Sequence, residues 1–117
     1  MNKKLKPGEP WEPIFRVYDE DEDGVLTAKD CTGMSLVWIF KRSKLETETA
    51  ITSITASWTD QSGGVGYFSL PETTTINFTS TYWHQVILYN TSTGAIVKPF
   101  DIYKLIMVPT LEKDAIS

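Results

Sequence analysis

A chain of 117 residues has room for one domain around one core, because a chain of this length buries roughly two thirds of its unfolded surface. Its net charge of -4 at pH 7 and pI near 4.9 argue against a nucleic-acid binder, whose affinity comes from clustered Lys and Arg on phosphate. The one cysteine, Cys31, leaves no partner for an intrachain disulfide, a CxxC pair or a thiolate zinc centre.

Residues 1–13, MNKKLKPGEPWEP, hold three prolines and three lysines, which suits neither a helix nor a central strand. They read as an extended arm carrying the basic cluster Lys3, Lys4 and Lys6. No apolar stretch follows these lysines to make a signal peptide, and the longest apolar run, LVWIF at 36–40, is far short of the roughly 20 residues of a membrane helix. The expectation is a soluble chain without an export signal, and with neither membrane nor nucleic acid among its partners.

The domain is expected to span 14–110. IFRVY at 14–18 predicts a first strand, stopped by the acidic run DEDEDG at 19–24. MSLVWIFK at 34–41 is almost continuously apolar, as in a strand covered on both faces. AITSITASW at 50–58 alternates, with Ala50, Ile54, Ala56 and Trp58 on one side and Ile51, Ser53, Thr55 and Ser57 on the other. DQSGG is a turn, and VGYFSL at 65–70 is a strand ended by Pro71. YWHQVILY at 82–89 passes through NTSTG into AIVKPF as a hairpin, with Gly94 free to take positive φ. DIYKLIMV at 101–108 closes the domain before a tail at 111–117, helical or disordered. SKLETETA at 43–50 offers the one helical turn in the reading. The pattern predicts an all-β fold, an antiparallel β-sandwich of immunoglobulin-like kind with about seven strands.

The acidic run admits two readings. In the calcium-loop pattern D-x-D-x-D-G, Asp19, Asp21 and Asp23 take the alternate ligand positions and Gly24 the sharp turn. Val25 would offer its carbonyl, Leu26 would be the apolar anchor, Thr27 would act through water and Asp30 would close the loop. Against this, Asp30 is one methylene shorter than the usual glutamate, and Glu22 adds charge without a ligand role. Pro10 and Pro13 truncate an entering helix, and a strand follows where a second helix belongs. The alternative is a solvated connection between two strands, whose acids also discourage edge-to-edge pairing.

No catalytic group stands out. His84, the only histidine, lies in a strand between Trp83 and Gln85 with no serine or cysteine motif to serve. Cys31 lacks a nucleophile signature and reads as a small buried hydrophobe. SGGVG at 62–66 is no phosphate loop, having no lysine and no following helix. Trp11, Trp58, Tyr67, Trp83, Tyr89 and Tyr103 could present an aromatic row to sugar rings, although aromatics on alternating strands more often fill a small sandwich core. No catalytic, cofactor-binding or metal-binding residue is assigned, and the expected protein is not an enzyme.

Read as strand, acidic turn, D-x-T-G and strand, IFRVYDEDEDGVLTAKDCTGMSLVWIFKR resembles the N-terminal domain of phage baseplate upper proteins and related small tail or head accessory proteins. Gly8 and Glu9 stand where that family has GD, and Asp30, Cys31, Thr32 and Gly33 where it has DLTG. GVGYFSLPETTT, YWHQVILYNTSTGAIV and IYKLIMVPTL resemble its later strands, so that the likeness spans residues 8–111. The departures are Glu9, Cys31 and a more charged acidic loop.

The resemblance implies a structural virion protein, made in the host cytoplasm, that binds other virion proteins and recurs as a homo-oligomer in a symmetric particle. No cofactor is implied, with calcium at 19–30 the runner-up. The alternatives are a calcium-dependent structural module and a carbohydrate-binding module. The basic arm at 1–13 would reach across a neighbour towards the acidic 19–23 loop, a contact that sets orientation and on-rate.

Overall fold

Residues 2–44, 49–78 and 81–108 are described in this computed structural model. In chain order the strands are β1 (Lys3–Leu5), β2 (Ile14–Arg16), β3 (Tyr18–Glu20), β4 (Leu26–Ala28), β5 (Met34–Lys41), β6 (Thr52–Thr55), β7 (Ser57–Asp60), β8 (Val65–Tyr67), β9 (Thr81–Asn90), β10 (Ile96–Pro99) and β11 (Tyr103–Met107). A single helical turn, α1 (Glu72–Thr75), follows β8.

The all-β expectation holds. The seven-stranded immunoglobulin-like sandwich gives way to eleven strands in three sheets among the described residues. Two expected strands are each broken in the middle. At Val17 the chain changes partners: its N–H donates to the Gly64 carbonyl at 2.8 Å, continuing the β2–β8 pairing, while its carbonyl accepts the Lys29 N–H at 3.0 Å, so β2 and β3 join different sheets. At Ala56 the chain makes its last bond to the large sheet, the Ala56 N–H donating to the Leu36 carbonyl at 3.0 Å, and continues as β7 of the small one. Sandwich corners are commonly made in this way, by a strand that changes sheets.

Two further strands come from segments read as arm and turn. Residues 3–5 pair in parallel with β11, from Lys3 opposite Leu105 to Leu5 opposite Met107. The fully buried Leu5 explains why: the arm carries one apolar residue that the sheet needs. The acidic segment pairs as the β3–β4 hairpin. Of the expected helical turn at 43–50, residues 45–48 lie outside the described residues, as does the tail at 111–117. The observed turn starts instead after Pro71, whose extended conformation (φ -75°, ψ 158°) enters a helix without needing a donor.

The large sheet runs β1-β11-β9-β5-β6, with β10 pairing β9 as well. β10 and β11 share one side of β9 end to end, from Ile96 opposite Tyr89 to Ile106 opposite Thr81. Between them the Phe100 N–H donates to the Val86 carbonyl and Gln85 Nε2 donates to the Phe100 carbonyl, at 3.0 and 2.7 Å. On the other side of β9, β5 pairs along its whole length, from Met34 opposite Asn90 to Lys41 opposite Trp83.

Alternation along this central pair sends Leu36, Trp38 and Phe40 of β5, with Tyr82, His84, Val86 and Leu88 of β9, into the core. The β2-β8-β7 sheet and its flanks cover them with Phe15, Trp58, Phe68 and Leu70. Trp38 is the hub: its ring centroid lies 4.9 Å from Trp11, 4.6 Å from Phe40 and 5.3 Å from Phe68. Each such pair adds about 0.5–1.5 kcal/mol beyond simple burial, which a small domain without disulfides needs.

Candidate functional site

The alternation that fills the core sends Val37, Ile39 and Lys41 of β5, and Trp83, Gln85, Ile87 and Tyr89 of β9, to the opposite face of the large sheet. All seven are only half-buried. The register assembles them in rows: Lys104, Trp83 and Lys41 across one end, Gln85 beside Ile39, then Pro99, Ile87 and Val37. A groove of about 490 Å³ runs along this face, walled by Ile39, Lys44, Trp83, Ile87, Ile96 and Ile102.

Trp83 organises the basic end. Lys44 Nζ stands 4.4 Å and Lys104 Nζ 5.0 Å from its ring centroid. Two ammonium groups on one indole are each attracted by the ring quadrupole, worth about 0.5–1 kcal/mol at an exposed site. Their alkyl stems widen the apolar surface while the charges stay in water. β1 brings Lys4 to the same face, opposite Ile106. Lys4, Lys44 and Lys104 thus come from three separate segments, a cluster that sequence order hides. Its legible trace was the alternation in YWHQVILY, which assigns Trp83 and Ile87 to the side opposite Tyr82 and His84.

Three of the four aspartates of the calcium reading, Asp19, Asp21 and Asp30, have carboxylates engaged locally. Asp21 Oδ1 accepts the backbone N–H groups of Asp23 and Val25, both at 2.9 Å, closing the turn of the β3–β4 hairpin. Gly24 takes φ +80° there, in the left-handed region that favours glycine. The Val25 carbonyl, assigned to the ion in the calcium reading, accepts the Asp21 N–H at 3.1 Å. Asp19 pairs with Lys29 at 3.3 Å. Asp30 Oδ1 accepts the Thr32 hydroxyl at 2.6 Å and the Thr32 N–H at 3.0 Å, and these bonds hold its carboxyl below the usual aspartate range. Among the described residues no three His, Cys, Asp or Glu side chains gather as metal ligands. Ladder pairing of Asp19 with Thr27 and Glu20 with Leu26 makes a ribbon of this stretch, where a calcium loop would wrap its ligands around a centre.

His84 is core, 5% exposed, and its Nδ1 accepts the Trp38 indole N–H at 2.9 Å. Cys31 is fully buried beneath the hairpin's root, and that burial pushes its thiol pKa up. The six aromatics do not form one row. Trp11 packs on Trp38 and His84; Trp58 donates its indole N–H to the Met34 carbonyl; Tyr67 faces outward on the small sheet. Only Trp83 and Tyr89 share the outer face of β9, six residues apart. Among the described residues no helix is long and apolar enough to cross a membrane. No protein-family model and no curated protein matches the chain, so the likeness to baseplate upper proteins rests on its short motifs.

Proposed function

We propose that this chain is a non-enzymatic structural subunit acting by protein–protein assembly, and that its place is in a virion tail, baseplate or head, as the resemblance implies. The observation that supports this reading is the outer face of the large sheet. A sheet with one buried face ordinarily shows polar residues on the other. Here the second face carries Ile39, Ile87, Ile96 and Ile102 next to a tryptophan between two lysines. An aromatic and apolar centre with charged groups at its border is the composition of a surface that another protein covers.

The two nearest candidates for chemistry are committed to the fold. His84 Nδ1 holds the Trp38 indole, and the Cys31 thiolate is suppressed by burial. We read the six-stranded and three-stranded sheets as the two layers of a divergent immunoglobulin-like sandwich, to which the acidic hairpin is added. The test is incorporation into particles of Ile39→Glu and Ile87→Glu variants, with circular dichroism to verify folding. Folded variants lost from the particle support the reading; folded variants incorporated like the parent refute it.

A further inference from the structure

We infer that the occupant of this face is the β3–β4 hairpin of a second copy, so that copies associate head to tail. The inference rests on the assembly reading above and adds the partner to it.

The charges match. Residues 19–23 are five consecutive carboxylates, all exposed, of which Asp19 is paired with Lys29. The receiving face holds Lys44 and Lys104 on Trp83, with Lys4 two strands away on the same face. The apolar surfaces match as well. Val25 and Leu26, next to the acids, are 56% and 59% exposed, and beside the lysines the groove offers Ile102 at 42%. Hairpin and face each combine one sign of charge with exposed aliphatic side chains.

The two poles cannot meet within one molecule. The hairpin is rooted at the Met34 end of β5 through residues 29–33, and Trp83 faces the Lys41 end. Seven steps along a strand separate those ends by about 23 Å, whereas three-residue hairpin arms reach about 10 Å. A contact between two different surfaces on opposite ends leaves one of each free on every pair. It therefore propagates to a ring or a filament instead of closing as a two-fold dimer.

Two charge-reversed variants test this. One is Lys44→Glu with Lys104→Glu on the face. The other is Glu20→Lys, Glu22→Lys and Asp23→Lys on the hairpin, which leaves the turn-closing Asp21 in place and sets three lysines against Asp19 and Asp21. Sedimentation and light scattering of the full chain should show association that rises with concentration and falls with salt. Each variant alone should associate about tenfold or more weakly, since like charges meet. An equimolar mixture should restore the oligomers, because every reversed hairpin then finds a reversed face. A parent chain that stays monomeric, variants that associate like the parent, or a mixture that fails to recover would each overturn the inference. The assembly reading falls separately, only if the Ile39 and Ile87 variants enter particles normally.

Discussion

The bond from the Trp38 indole N–H to His84 Nδ1 is the polar contact on which the core most depends. Trp38 is 2% exposed and His84 5%, so the donor has no water to fall back on. His84→Leu keeps an apolar side chain of similar size but removes the acceptor, leaving the indole N–H buried and unsatisfied at a cost of about 1–3 kcal/mol. Trp38→Phe removes the donor, with a packing loss of its own. The double variant orphans neither group. Its destabilisation should fall short of the sum of the singles by about 1–3 kcal/mol, and the cycle cancels other contacts that each side chain makes. Urea unfolding followed by far-UV circular dichroism measures this without relying on tryptophan fluorescence, and unchanged m-values would confirm comparable unfolded states. His84→Asn, which places an amide oxygen near the position of Nδ1, should recover most of the coupling. Strict additivity, within about 0.3–0.5 kcal/mol, would refute the claim that this bond stabilises the core.

Gly64 has φ +70° and its added Cβ would stand 2.7 Å from the carbonyl oxygens of both Lys29 and Val17, whereas Gly33, at φ +77°, has open space. Gly33→Ala should therefore cost about 1–2 kcal/mol from conformation alone, and Gly64→Ala clearly more in the same denaturation assay. The Cys31 thiol pKa is raised by burial, so the folded state holds its proton more tightly than the unfolded one. Stability from this source is full below the unfolded value of about 8.5 and declines as pH rises through the folded one, a slope that Cys31→Ala should remove. Asp30 has the opposite sign, its pKa being lowered by the Thr32 hydroxyl and N–H. Its contribution is present above the ordinary aspartate value of 3.8 and lost as pH falls through the folded value. Thr32→Val should shrink that acid-side loss in pH-dependent thermal melts; an unchanged acid limb would count against the bond.

Much of the strand content was legible because alternation is local. Apolar and aromatic residues at period two in AITSITASW and VGYFSL, and the aromatic and β-branched content of YWHQVILY, need only neighbouring residues to be read, and the turns DQSGG and NTSTG announce themselves through Asp60, Asn90 and glycine. Asp60 Oδ1 accepts the Gly63 N–H, and Asn90 Oδ1 accepts the N–H groups of Ser92 and Thr93. The acidic run was harder. The same residues satisfy a calcium pattern and a ribbon turn, and they fold as the β3–β4 hairpin, with the Asp21 N–H donating to the Val25 carbonyl.

By itself, then, the sequence determined the class, all-β, and the two sides of the run AITSITASW, since side-chain period follows from backbone geometry alone. It did not determine where a strand changes sheet. Val17 and Ala56 lie inside unbroken β-like runs, and at each the chain passes from one partner strand to another that is remote in the sequence. Nor could it bring Lys44 and Lys104 onto Trp83, with Lys4 on the same face. That cluster is a product of strand order, β1 beside β11, β11 beside β9 and β9 beside β5, and strand order is set by which edges the whole core leaves available.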